Sequence, residues 1–323
     1  MRALVTTKCC PWLAASSFPT QPKWIIFREE MMDSLILRHL IRLFPSTIFA
    51  AIAFLFSVDP LTTHAVSPIL KSITWTNNLL TLHTPLVPSG AIHIWYLEAF
   101  LHPGARTQSW NLSKIPHQTQ LLVASSDQRH LSFVTEVQTN VQMRHSVHLG
   151  KDEVVFDYEI ENKSEVATDL QWFQPACIRV GEFMDRQQSN FVERAFIYTE
   201  EGFTWLSEAR RTTNALYLGG QVFIPPGINH DDANPRPVAR LQPVNGLIGC
   251  FSADGKTILA TASSTTHELF EGVYVCLHSD PHIGGLAPGE IKKFKAKIYL
   301  GTDDPDQLLK RYQKDFPTRR KGR

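Results

Sequence analysis

The short motifs that announce familiar chemistries are absent from this 323-residue sequence. There is no G-x-S-x-G elbow, no H-E-x-x-H pair, no P-loop and no G-x-G-x-x-G turn, which removes the strongest indicators of hydrolase, metalloprotease, nucleotide and dinucleotide functions. An enzyme without a motif stays open. A charge excess is missing too: 32 basic residues face 31 acidic ones, a formal net charge of +1. Binding to a nucleic-acid backbone draws on an excess of positive charge, so no nucleic-acid partner is expected. Cysteine is scarce, with five in the whole chain, far below the density of a disulfide scaffold. No cofactor or metal is expected.

A membrane-length apolar run is also wanting. The uncharged stretch Thr47 to Val58 has twelve residues, whereas a spanning helix needs roughly 20. It follows Arg38 and Arg42 and precedes Thr63-His64-Ala65. A basic flank, a short apolar run and a small-x-small site describe a secretory signal peptide. The expected organisation is a leader over 1–65, one domain over 66–316, and a disordered basic tail over 317–323. A secreted or periplasmic protein with no stable span after cleavage follows. Met31 and Met32 stand where a leader of ordinary length begins, so translation is expected to start there. Cys177, Cys250 and Cys276 then remain, an odd number that allows at most one bridge.

What is present is a long series of strand-length runs. Ile73 to Leu82 alternates apolar and polar residues on both sides of Asn77-Asn78, a pair that tolerates positive φ and so marks a hairpin. Ala91 to Phe100 is apolar on both faces, hence a central strand. Leu131–Val137, Val141–Leu149, Val154–Ile160 and Val166–Phe173 read as an antiparallel meander with one wet side. Phe196–Tyr198 and Phe203–Leu206 form another hairpin. The segment Ile224 to Pro243 carries five prolines and reads as a long loop. Leu247–Phe251, Thr257–Ala262 and Gly272–His278 extend the series, with Val273, Val275 and Leu277 facing the core. In a meander Cys250 and Cys276 would sit two strand spacings apart, too far for a disulfide. Near the end, Asp304-Pro305 supplies an N-cap and a first-turn proline for the one well-signalled helix. The fold class is all-β, a large antiparallel sandwich with a short C-terminal helix.

Polar residues collect at two strand ends. Around His278 stand His267, Glu268, Cys276, Asp280 and His282. They are metal-ligand types without metal-ligand spacing, and also the parts of a histidine and carboxylate acid–base pair. His278, Glu268 and His267 are the catalytic candidates, although neighbours in a strand point opposite ways. Glu98, His102, Arg106 and Trp110 gather where His-Pro-Gly ends a strand; forks for hydroxyls and a flat ring are what grips a sugar. The structural alternative pairs Arg106 with Glu98 and buries Trp110. His230-Asp231-Asp232 is read as a solvated turn, because it lacks the ligand order of a calcium loop. Trp172 to Arg179 reads as core with a satisfied Gln174, and Lys293, Lys295 and Lys297 as an exposed strand face.

The strand series, the glycine-rich turn Ile283 to Glu290 before an amphipathic strand, and the closing helix together resemble the galactose mutarotase-like β-supersandwich. The resemblance implies a sheet concavity in which aldose epimerases use a histidine acid and a carboxylate base, while other relatives are lyase or hydrolase domains or have no known activity. The expected function is a secreted protein that recognises or modifies carbohydrate. The alternative is a non-catalytic envelope or extracellular interaction module.

Overall fold

A computed structural model describes residues 68–317 apart from 138–139, 188–189 and 209–219. The leader, the start-site expectation and the end of the basic tail lie outside the described residues.

Two antiparallel sheets carry the fold. The first runs, in spatial order, β1 (Ser72–Thr76), β2 (Leu79–His83), β3 (Ala91–Leu101), β9 (Trp172–Arg179), β16 (Cys276–Pro281), β15 (Thr266–Gly272) and β12 (Gln221–Phe223), with β4 (Lys114–Ile115) also beside β3. The second runs β11 (Gly202–Trp205), β10 (Ala195–Thr199), β13 (Leu247–Phe251), β14 (Ile258–Ser263), β17 (Ile291–Leu300), β8 (Glu153–Asn162), β7 (Val141–Leu149), β6 (His130–Val137) and β5 (His117–Ala124). No described helix is long and apolar enough to cross a membrane.

Local chemistry explains many of these elements. Asn77 and Asn78 take φ of 50° and 63°, the left-handed pair that a two-residue hairpin requires. In β7 the side chains of Val141, Met143, His145, Val147 and Leu149 are buried and those between them are not, the period-two pattern of a sheet with one wet face. The buried faces of both sheets share one core. Tyr96 of the first sheet meets Phe133 and Phe156 of the second, with ring centroids 5.4 and 5.9 Å away. Its hydroxyl lies 2.7 Å from Nδ1 of His145, whose Nε2 lies 2.9 Å from the Thr135 hydroxyl. Truncating a ring such as Phe133 in this core would cost about 3–5 kcal/mol.

The helix Pro305–Asp315 forms as expected, with the Asp304 carboxylate accepting from the backbone of Asp306 and Gln307. Its Leu308, Leu309 and Tyr312, with Phe316 just beyond, pack against the outer side of the second sheet around Phe196, Tyr198 and Tyr299. Lys293 and Lys295 pair across strands with Glu159 (2.9 Å) and Asp157 (3.8 Å).

Lys297 of the expected exposed lysine face is buried between Glu153 and Asp315, and three expectations of strand arrangement need correction. The meander is real for β6, β7 and β8, but the fourth run is not a strand from Val166: the chain passes through a loop and enters the other sheet as β9, so the strand begins at Trp172. Cys250 and Cys276 are not the outer strands of one meander, since β13 and β16 belong to different sheets. Cys177, Cys250 and Cys276 are all buried free thiols. Finally, Val273 to Val275 is the turn between β15 and β16 rather than a core-facing strand segment, and Val275 sits at φ 54°.

Candidate functional site

The first sheet turns an unusually polar face outward over β15, β16 and β9. Glu268 pairs with Asp280, Phe270 with His278 and Gly272 with Cys276 across β15 and β16. The period of two therefore puts Cys276, His278 and Asp280 on one face together with Glu268. Gly272 is required there, because a Cβ would collide with the Cys276 sulfur.

Two bulges bring further groups to the same face. Ile178 lies opposite Leu277, while Trp172 lies opposite His282. That leaves one more residue on β9 than on β16 between these points, which turns both Gln174 and Cys177 toward His278. On the other side of β9, Tyr96 pairs with Ala176 and Ala99 with Gln174. The extra residue lies at Leu97-Glu98, where Leu97 takes φ 52°. Bulges of this kind re-aim a side chain, and here the re-aimed one is Glu98.

These groups line a cavity of about 420 Å³ with Glu98, Trp110, Gln174, Cys177, Asn234, Arg236, Cys276 and His278 in its wall. Part of that wall is the proline-rich loop, held down from below. Arg106 donates to the carbonyls of Asn234 (3.0 Å) and Arg236 (2.6 Å). Asp232 accepts from the Gly104 amide at 2.7 Å, and its carbonyl accepts from the Trp172 indole at 2.7 Å. His230 and Asp231 are exposed, as a solvated turn requires, but Asp232 is buried and clamps the loop to the sheet. A larger cavity of about 560 Å³ lies over β6, β7, β8 and β17, away from these groups.

A chain of buried groups runs from the cavity wall into the sheet. The Cys276 sulfur is 3.4 Å from Nε2 of His278. Nδ1 of His278 is 3.7 Å from Asp280 Oδ1, and Gln174 donates to Asp280 Oδ2 at 3.2 Å. Glu268 Oε2 accepts from the Asn234 amide at 2.8 Å. Glu268 Oε1, His278 Nδ1 and Asp280 Oδ1 have no hydrogen-bond partner. Burial, and the Asp280 carboxyl beside it, push Glu268 well above the usual carboxylate range. Burial also raises Asp280 against the opposing pull of His278. For His278 burial works against a charge, but the Cys177 sulfur and Asp280 outweigh it and hold the ring above its ordinary value.

The sequence candidates divide by position. Glu98, Trp110 and His278 meet in the cavity. Glu268 lies just behind it, fully buried. His267 lies at a bulge of β15 between Thr266 and Glu268, so the expected opposition of these neighbours does not hold: its ring stacks on Trp172 at 4.8 Å, Nε2 donates to the Asp232 carbonyl of the proline-rich loop at 3.3 Å, and Nδ1 is 3.1 Å from His282 Nδ1. Burial holds it neutral, with a pKa of about 3. His102 stands apart in an exposed pair with Asp169 at 2.7 Å. Arg106 serves the loop backbone and does not pair with Glu98. Gln174, Cys177, Asn234 and Arg236 are cavity residues that reading by motif misses. The one sequence signal for the first two is Pro175 inside a strand, since proline there marks a bulge or an edge.

No protein-family model matches this sequence, and no curated protein does. Solved structures do. A putative aldose 1-epimerase from Escherichia coli K12 is 12% identical, with 72% of this chain and 98% of that one covered and a TM-score of 0.37. A galactose mutarotase related enzyme from Lactobacillus acidophilus is 7% identical over 72% and 98%, with a TM-score of 0.38. A galactose mutarotase-like protein from Lactobacillus casei is 10% identical over 71% and 99%, also at 0.38.

Proposed function

We propose that the cavity between β3, β9, β16 and the proline-rich loop is a carbohydrate site. The observation that carries this reading is the company kept by Trp110. Its half-buried ring shares one concavity with the Glu98 carboxylate, the Gln174 amide, the Arg236 guanidinium and the His278 imidazole. A flat apolar ring suits the C–H face of a sugar, and the fixed polar groups around it suit hydroxyls; few polar groups in a largely apolar cavity are what orient a small ligand.

Glu98 makes no ion pair among the described residues, which leaves it available to a ligand. When His278 carries its proton, it and Glu98 form the histidine and carboxylate pair of an acid–base step: the imidazolium gives a proton to a sugar oxygen and the carboxylate takes one from a hydroxyl. Export through the Thr47–Val58 run would bring the site to extracellular or periplasmic glycans.

Binding of the protein to a panel of mono- and oligosaccharides tests the proposal. A binder is expected, with at least a tenfold loss in Trp110→Ala and in Glu98→Gln. A binder that both variants hold as tightly as the parent would place the site elsewhere. A binder that undergoes no epimerisation, lyase or hydrolase reaction would keep the recognition and remove the acid–base step.

A further inference from the structure

We infer that Cys177, Cys276 and His278 bind a thiophilic divalent cation, zinc by the type of ligand, at the floor of this cavity. The sulfur of each cysteine and a ring nitrogen of His278 lie within 4.8 Å of one another, and all three residues are buried. In a tetrahedral zinc site, bonds of about 2.3 Å to sulfur and 2.0–2.1 Å to nitrogen place the ligand atoms about 3.5–3.8 Å apart. The 3.4 Å between Cys276 Sγ and His278 Nε2 is already that spacing. It arises because residues i and i+2 of a strand share a face, while the bulge in β9 supplies Cys177.

The surroundings complete the case. A ligating histidine is usually held from behind by a carboxylate on its other nitrogen. Asp280 Oδ1 stands 3.7 Å from His278 Nδ1, and Gln174 fixes the other carboxylate oxygen. Both facing atoms are buried and have no other partner, a state that calls for an explanation. A cation on Nε2 polarises the ring so that Nδ1–H donates to Asp280, and the positive charge offsets the buried acid. Cys177, Cys276 and His278 line the cavity together with Glu98, so a water or a ligand oxygen from it could take the fourth position, the pattern of a site that is not closed. Loading releases the two thiol protons to solvent as the two sulfur–metal bonds form. The ring then has no proton on Nε2 to give, so metal-loaded and proton-carrying His278 are alternative states of one site. The inference goes beyond the carbohydrate reading and does not depend on it.

The test is a titration of the reduced, chelator-treated full chain with cobalt(II), followed by zinc X-ray absorption on the same protein. A thiolate-to-cobalt charge-transfer band saturating at one equivalent per chain is expected, with a zinc shell of two sulfurs at about 2.3 Å. Cys250→Ser, which alters the buried thiol of the other sheet, keeps the band. Cys276→Ser abolishes it, and Asp280→Asn weakens zinc binding by about 10–100-fold. A zinc shell of nitrogen and oxygen alone, or a Cys177–Cys276 disulfide in freshly isolated protein, would overturn the inference; both are read on the unaltered sequence, so a variant that fails to fold does not decide it. Saccharide binding measured on metal-free and loaded protein separates the two proposals, since either signal can be present without the other.

Discussion

Glu268 and Asp280 lie directly across from each other in the β15–β16 ladder, both fully buried and on the same face of the sheet. Two carboxyls so placed cannot both ionise cheaply, because each lacks water and each repels the other's charge.

Glu268→Gln is therefore expected to stabilise the protein at neutral pH. The folded-state pKa of Glu268 is raised, so the native state binds its proton more tightly than the unfolded chain does. Its cost appears as pH rises above the unfolded value and grows up to the folded one. A gain of about 1–3 kcal/mol in urea unfolding at pH 7, vanishing at pH 4, is the expected result. Equal gains at both pH values would remove charge as its cause.

His145 has the opposite sign. Burial holds its pKa at about 3, below the ordinary imidazole value, so the folded state binds fewer protons than the unfolded chain. Stability present above about pH 6.5 is lost as pH falls toward 3, by at most about 5 kcal/mol for a fully buried ring. His145→Gln, which can still bond Tyr96 and Thr135, is expected to flatten the acid limb of a Tm-against-pH curve. His267, held at about 3 in the same way, leaves part of the slope in place.

Val275 bears a branched side chain at φ 54° in the turn between β15 and β16, a conformation that costs a β-branched residue of order 1–3 kcal/mol. Val275→Gly is expected to stabilise by about 1 kcal/mol, the strain relieved being larger than the lost packing and the added freedom of the unfolded chain. A fall in Tm would show that the contact of Val275 with the core outweighs the strain.

Arg106 holds two carbonyls of the proline-rich loop. Arg106→Ala is expected to cost about 2–3 kcal/mol, the scale of charge-assisted hydrogen bonds left unmade, and to weaken saccharide binding through the loop rather than through contact. Arg106→Lys, which presents one donor group in place of a planar fork, should recover only part of either.

Much of this architecture is written in local pattern. Asn77-Asn78, the alternation of β7 and the Asp304-Pro305 cap each depend on residues within a few positions, and each appears where the sequence puts it. The assignment of strands to sheets is not local: β8 and β9 are consecutive strands, yet they enter different sheets. The segment Thr266 to Gly272 is buried along nearly all its length, so it lacks the alternation that marks a half-exposed strand. The site followed the same rule. Cys276, His278 and Asp280 share a strand face and are legible as a group, whereas the bulge between Thr266 and Glu268 upsets the alternation expected of His267 and Glu268. Gln174 and Cys177 reach them through a bulge, and Glu98 through a second one, which no periodic reading registers.

The most direct measurement is where a saccharide ring sits. With a binder from the panel added to labelled protein, nuclear magnetic resonance of the Trp110 indole N–H and the His278 ring protons should show both shifting together and saturably, with the Trp75 indole on the opposite side of the first sheet unmoved. Saturable binding that leaves Trp110 and His278 unshifted would contradict the account.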